Sequence, residues 1–256
     1  MSGILRDGAP LAGPAGLVEP PGRYRFLLLP LLALAGLFAL WWFWPAGKAA
    51  PPAAAAAASP AGLAHRALAG PRGPSCIRLV VGLDVSGSMQ AYAGARDAAL
   101  AQLIDWSRAN LRPDDELAVV DFAADSVARI GPTRRDKLTG VGSAAGANDG
   151  TYTNLLPALN AIDGFPTGRC DTELVLISDA QLADLPLGPA AAGNLLRGHH
   201  IHDVRLLVPG EDIDVPQQWV VDFPEAYPDR FDGTDPDATA LAFGQAIAGF
   251  TGQTLK

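Results

Sequence analysis

Residues 77–89 read IRLVVGLDVSGSM, and this stretch decides the fold. Positions 77–84 form a nearly continuous apolar run, as expected of a parallel strand covered on both faces. The run ends on Asp84, and Ser86 and Ser88 follow at i+2 and i+4 around Gly87. Glycine gives a turn conformational freedom, so three oxygen side chains at this spacing can converge on one point. Carboxylate and hydroxyl oxygens suit a hard cation such as Mg²⁺. In an open α/β sheet the carboxyl end of a strand is also where ligands bind. The same Ser and Asp have a plainer use, capping the helix that follows.

Strands and helices alternate beyond this point. A helix is expected over 91–111, because Leu100, Leu103, Ile104, Ser107 and Leu111 share one stripe. Strands are expected at 116–123 and, as a short edge, at 126–130. A Gly-rich loop over 140–150 leads to a helix at 154–162. A buried strand at 173–178, a helix at 190–197 and a strand at 203–208 come next. A last strand at 219–223 and a last helix at 237–250 complete the pattern. Such alternation implies an α/β fold with a doubly wound, mostly parallel sheet and helices on both faces.

DVSGSM at a strand end resembles the metal-ion-dependent adhesion site (MIDAS) of von Willebrand factor A (vWA) domains. Two further pieces of that site occur in order. Thr153-Asn154-Leu155 within GTYTNLLPAL is similar to the family's threonine in a Gly-rich loop before a helix. LVLISD at 174–179 is similar to its aspartate at the end of the fourth strand, with Ala180 in place of the usual glycine. The resemblance covers about residues 76–250. It implies a Rossmann-like vWA fold in which Ser86, Ser88 and Thr153 give hydroxyl oxygens to a divalent cation. Mg²⁺ is expected, with Mn²⁺ or Ca²⁺ as substitutes. Asp84 and Asp179 would bind the ion directly or through water. Thr151 is a rival for the threonine role. One coordination position in this family is typically open to an acidic residue of a protein partner. The family's strand order also sets the first and fourth strands side by side. Cys76 and Cys170 then start neighbouring strands, within reach of a disulfide, as suits an oxidising compartment.

The N-terminal part of the 256-residue chain has another character. Residues 26–44, FLLLPLLALAGLFALWWFW, carry no charge. As a helix they span about 28 Å, close to the ~30 Å hydrocarbon core of a bilayer. Arg23 and Arg25 precede the run and only Lys48 follows it closely, so residues 1–25 are expected to stay in the cytoplasm. An uncleaved anchor is favoured over a cleaved signal peptide, because the run is long and a leader precedes it. Residues 45–74 are rich in Ala, Pro and Gly and read as a tether. Residues 75–256 would then form the folded domain outside the cytoplasmic membrane, periplasmic or extracellular. They hold 13 Lys and Arg against 25 Asp and Glu, a net of −12. Such a charge repels phosphate backbones, which argues against a nucleic-acid partner.

His199, His200, His202 and Asp203 suggest a transition-metal cluster on paper, but no distant ligand is evident and a solvated loop is the expectation. No G-x-S-x-G elbow, P-loop, H-E-x-x-H or C-x-x-C is present. The sequence therefore points to a binding protein and not an enzyme. The alternatives are a metal-independent scaffold subunit of an envelope complex and, behind it, a metal-assisted hydrolase.

Overall fold

The computed structural model describes residues 62–142, 144 and 152–256. The expected cytoplasmic segment (1–25), anchor (26–44) and first part of the tether (45–61) lie outside the described residues, as does Thr151. Among the described residues no helix is long and apolar enough to cross a membrane.

Strand β2 (Ile77–Asp84) is buried along its whole length, as its apolar run requires. It pairs in parallel with β3 (Glu116–Phe122) on one side and with β5 (Asp171–Ile177) on the other. Two strands follow, β4 (Ser126–Arg134) after β3 and β6 (Ile201–Val208) after β5. With the two-residue β7 (Asp229–Arg230) they complete a six-stranded sheet in the order β4-β3-β2-β5-β6-β7. Only the edge strand β4 is antiparallel to its neighbour.

Alternate residues of β2 serve opposite faces. Leu79, Val81 and Leu83 pack under α1 (Ala93–Asn110) and α5 (Pro236–Thr251), with Leu100, Leu103 and Phe243. Val80 packs on the other face, against α2 (Leu156–Asp163), α3 (Pro189–Gly198) and α4 (Gln217–Asp222), with Leu159, Ala192 and Trp219. Gly82 has no room for a side chain, since a Cβ there would lie 2.6 Å from Leu176. The helices on both faces confirm the expected doubly wound α/β arrangement.

Two expectations are corrected. Residues 219–223 are not a strand, for Gln217–Asp222 is helical. A five-residue apolar run fits either period. Here Trp219 and Phe223 meet one helical turn apart with ring centroids at 4.5 Å, and the indole N–H donates to the Ala226 carbonyl. The last strand of the six-stranded sheet is β7 instead. The folded part also begins before residue 75. Leu63 is fully buried, and the Trp106 indole donates to the Arg66 carbonyl at 2.8 Å. β1 (Leu68–Ala69) pairs antiparallel with β8 (Thr254–Leu255). The Arg72 guanidinium grips the buried Asp115 carboxylate with two bonds of 2.7 Å. Composition gave residues 62–74 the look of a tether, yet one leucine and a few polar partners dock them.

At the amino ends of the strands Cys76 and Cys170 form the expected disulfide, with Cα atoms 4.7 Å apart. Nearby on β5, Glu173 is buried with its Oε1 3.1 Å from His202 Nδ1. Burial pushes this carboxyl from 4.5 up to about 7. The His202 charge opposes the rise, while Asp203 and Asp171 add to it.

Two outcomes are expected. Reduction of Cys76–Cys170 opens a 94-residue separation and should lower unfolding stability by about 4–5 kcal/mol in the chain-entropy model. A melt unchanged by reductant would contradict this. Glu173 holds its proton more tightly folded than unfolded, so its contribution is complete below the unfolded value of 4.5 and is lost as pH rises through about 7. Glu173→Gln should therefore gain stability relative to wild type between about pH 5 and pH 8, by roughly 1–3 kcal/mol. Parallel pH curves for the two proteins would rule that out.

Candidate metal centre

The strand order reverses between β2 and β5, the point at which an open α/β sheet leaves a crevice beyond its carboxyl ends. Asp84 ends β2, and Asp179 stands two residues past β5. Asp84 is fully buried. Its Oδ1 accepts from the Ser86 N–H at 2.9 Å and its Oδ2 from the Ser178 hydroxyl at 2.6 Å. Burial pushes the Asp84 carboxyl above the usual aspartate range. The bonds from Ser178 and Ser86 oppose the rise, and the Asp179 charge adds to it.

The first turn after Asp84 is a 3₁₀ helix, Gly87–Tyr92, which runs into α1. Ser86 precedes it without capping it, and α1 likewise has no side-chain cap. Instead the Ser86 and Ser88 hydroxyls face one another at 3.1 Å. Thr153 is carried in by backbone contacts on two sides. The Asn154 N–H donates to the Ala123 carbonyl beyond β3, and the Thr153 carbonyl accepts from the Ala183 N–H beyond β5. Ser86, Ser88 and Thr153 thereby line one cleft of about 720 Å³. Asp179 is largely buried, with its Oδ1 accepting from the Gln181 N–H at 3.0 Å. The three hydroxyl residues line the cleft, while Asp84 and Asp179 stand at the adjoining strand ends and are not part of its lining.

Three supporting residues escaped the sequence reading. Ser178, directly before Asp179, orients the Asp84 carboxylate. Asp184 takes the helix cap that Thr153 leaves open, accepting from the Leu155 and Leu156 N–H groups at 2.7 Å each. Its partners lie 28 and 29 residues away, so no local pattern announces it. Arg96 on α1 is buried and donates to the Asp84 backbone carbonyl at 2.7 Å. Behind it Arg129 links Asp121 and Asp97 at 2.9 and 3.0 Å. Ala180 sits at φ +58°, a left-handed conformation that favours the glycine usual in the resembled motif.

The histidines do not assemble. His199 Nδ1 lies 2.7 Å from Asp163 and His202 Nδ1 lies 3.1 Å from Glu173. Among the described residues no three His, Cys, Asp or Glu side chains gather as ligands.

No family model and no curated protein matches the chain. Solved structures do. Its structural neighbours are von Willebrand factor A domain proteins. They include the ArnB paralog VWA2 from Sulfolobus acidocaldarius, at 17% identity and a TM-score of 0.45, covering 63% of this chain and 42% of that one. A von Willebrand factor type A protein from Catenulispora acidiphila matches at 16% and 0.45, over 68% and 42%. Proximal thread matrix protein 1 from the mussel byssus, with a zinc-occupied MIDAS motif, matches at 15% and 0.48, over 68% and 47%. The chain thus spans less than half the length of these three proteins.

Arg96 is a positioning residue for the Asp84 strand end. For the cation proposed below, Arg96→Met should weaken Mn²⁺ binding by about 10–100-fold, as loss of outer-shell partners does, and Arg96→Lys should restore most of it. A Mn²⁺ titration followed by electron paramagnetic resonance reads this directly. Equal affinities in wild type and Arg96→Met would remove the role.

Proposed function

We propose that this protein binds a protein partner through a divalent cation held at the carboxyl end of β2, and that it is not an enzyme. The observation that carries the reading is the placement of Ser86, Ser88 and Thr153. All three line one cleft, and neither serine caps the helix that follows. Asp84 and Asp179 stand at the adjoining strand ends. Ser178, Ser86 and Arg96 hold Asp84 in place. Bound there, Mg²⁺ would offer a Lewis-acidic position to a carboxylate from the partner. Hydroxyl donors add no further negative charge, so the site stays attractive to that acid.

Residues 26–44 supply the membrane part of the proposal. Their length and lack of charge, with Arg23 and Arg25 ahead of them, favour a single-pass anchor with the N-terminus inside. The domain would then work on the outer side, periplasmic or extracellular, in a cell-envelope assembly. The Cys76–Cys170 disulfide suits that compartment.

The deciding measurement is Mn²⁺ binding to the full chain, followed by capture of envelope proteins with Mg²⁺ and with EDTA. Wild type should bind one Mn²⁺, and Ser88→Ala and Thr153→Val should each bind it at least tenfold more weakly, as expected for lost ligands. Asp84→Ala should abolish binding; the hydroxyl variants keep the test valid if that buried change unfolds the domain. A partner retained equally in EDTA and by Ser88→Ala would favour the metal-independent scaffold. Metal-dependent turnover of an ester or peptide would favour the hydrolase.

A further inference from the structure

The cleft that holds Ser86, Ser88 and Thr153 extends well beyond them. Leu182, Leu185, Leu187, Tyr152 and Pro216 line the remainder together with Gln181 and Gln218, and no described lining residue carries a formal charge. That neutrality stands out where residues 75–256 total −12. Leu187 is 88% exposed and Tyr152 is 68% exposed, both lining the same cleft as the hydroxyl groups. Exposed apolar groups gathered at one concave place mark interaction surfaces.

Leu187 is also held firmly. Gly188 follows at φ +92° and donates its N–H to Asp222 Oδ1 at 2.7 Å. Asp222 is itself buried, and Gln218 donates to the same oxygen at 2.7 Å and to the Pro186 carbonyl at 3.3 Å. A leucine kept in water on a pinned backbone has the properties of a preorganised anchor. The cleft's 720 Å³ falls within the range of about 300–1,000 Å³ that ordinarily takes a ligand of several groups. A single carboxylate needs far less.

We infer that the partner segment received here carries one Asp or Glu beside a bulky apolar side chain. The acid would go to the hydroxyl end and the apolar group to the wall formed by Leu185 and Leu187. This rests on the metal-dependent reading above. Charge selects the occupant further. A run of acids would be repelled by the strongly negative domain, while a lone acid meets an uncharged wall and the site that neutralises it.

The test uses the full chain against short synthetic peptides with a single Asp among Leu and Phe, a single Asp among Ala and Ser, or a run of Asp. Each is measured with Mn²⁺ and with EDTA. The Leu/Phe peptides should bind in Mn²⁺ about tenfold more tightly than the Ala/Ser peptides, the scale of one good apolar anchor. Leu187→Ser should erase that advantage and leave Mn²⁺ affinity unchanged. The inference is overturned if neighbours of the acid have no effect, if the Asp run binds best, if the advantage survives Leu187→Ser, or if no peptide binds a chain that does bind Mn²⁺. A chain that binds no Mn²⁺ would instead defeat the metal reading, and this inference would fall with it.

Discussion

The two-sided burial of β2 is the constraint from which the rest follows. Its backbone is paired to β3 and β5 along both edges, and its side chains are covered on both faces. A strand so placed cannot carry a free charge in its middle. Charge appears next to its start, at Arg78, which bonds Glu116 at 2.7 Å, and at its end, at Asp84. With water excluded, the Asp84 oxygens must find partners within the protein. Ser86 and Ser178 meet that need, and in doing so they set the turn from which Ser86 and Ser88 reach the cleft.

Much of this could be read from the residues. The apolar runs at 77–84, 116–123 and 173–178 located three central strands, because burial on both faces leaves an unbroken signal. The stripe through Leu100, Leu103, Ile104, Ser107 and Leu111 located α1, and all five are buried. Ser86, Ser88 and Thr153 were legible as candidates through a recognised pattern and not through periodicity. Elsewhere the information is not local. Trp219 to Phe223 is too short for its period to separate helix from strand, and the bond from Trp219 to Ala226 decides it. The docking of 62–74 depends on Leu63 and on contacts with α1, α5 and the last residues of the chain. Asp184 and Arg96 act on backbone groups, which no side-chain pattern displays.

The two ends of the sheet differ in chemistry. The amino end is covalently closed by Cys76–Cys170 and carries Glu173 beside His202. The carboxyl end is open and depends on hydrogen bonds and ion pairs. Arginines reinforce it from behind: Arg96 holds the Asp84 carbonyl, and Arg129 joins β3 to α1 through Asp121 and Asp97. An acidic domain thus buries guanidinium charge at this strand end, where Arg96 is favoured by the Asp97, Asp121 and Asp84 carboxylates.

The docked segment ahead of β2 has a mechanical meaning. Tension on the chain before Gly62 would meet a series of separate restraints. Leu63 must leave its apolar seat, β1 must unzip from β8, and Arg72 must release Asp115. Only then does the pull arrive at Cys76, where a covalent bond passes it to β5 as well as β2. Both central strands share the strain before it reaches Asp84 at the far end, so the geometry of the cleft is insulated from force on the N-terminal side.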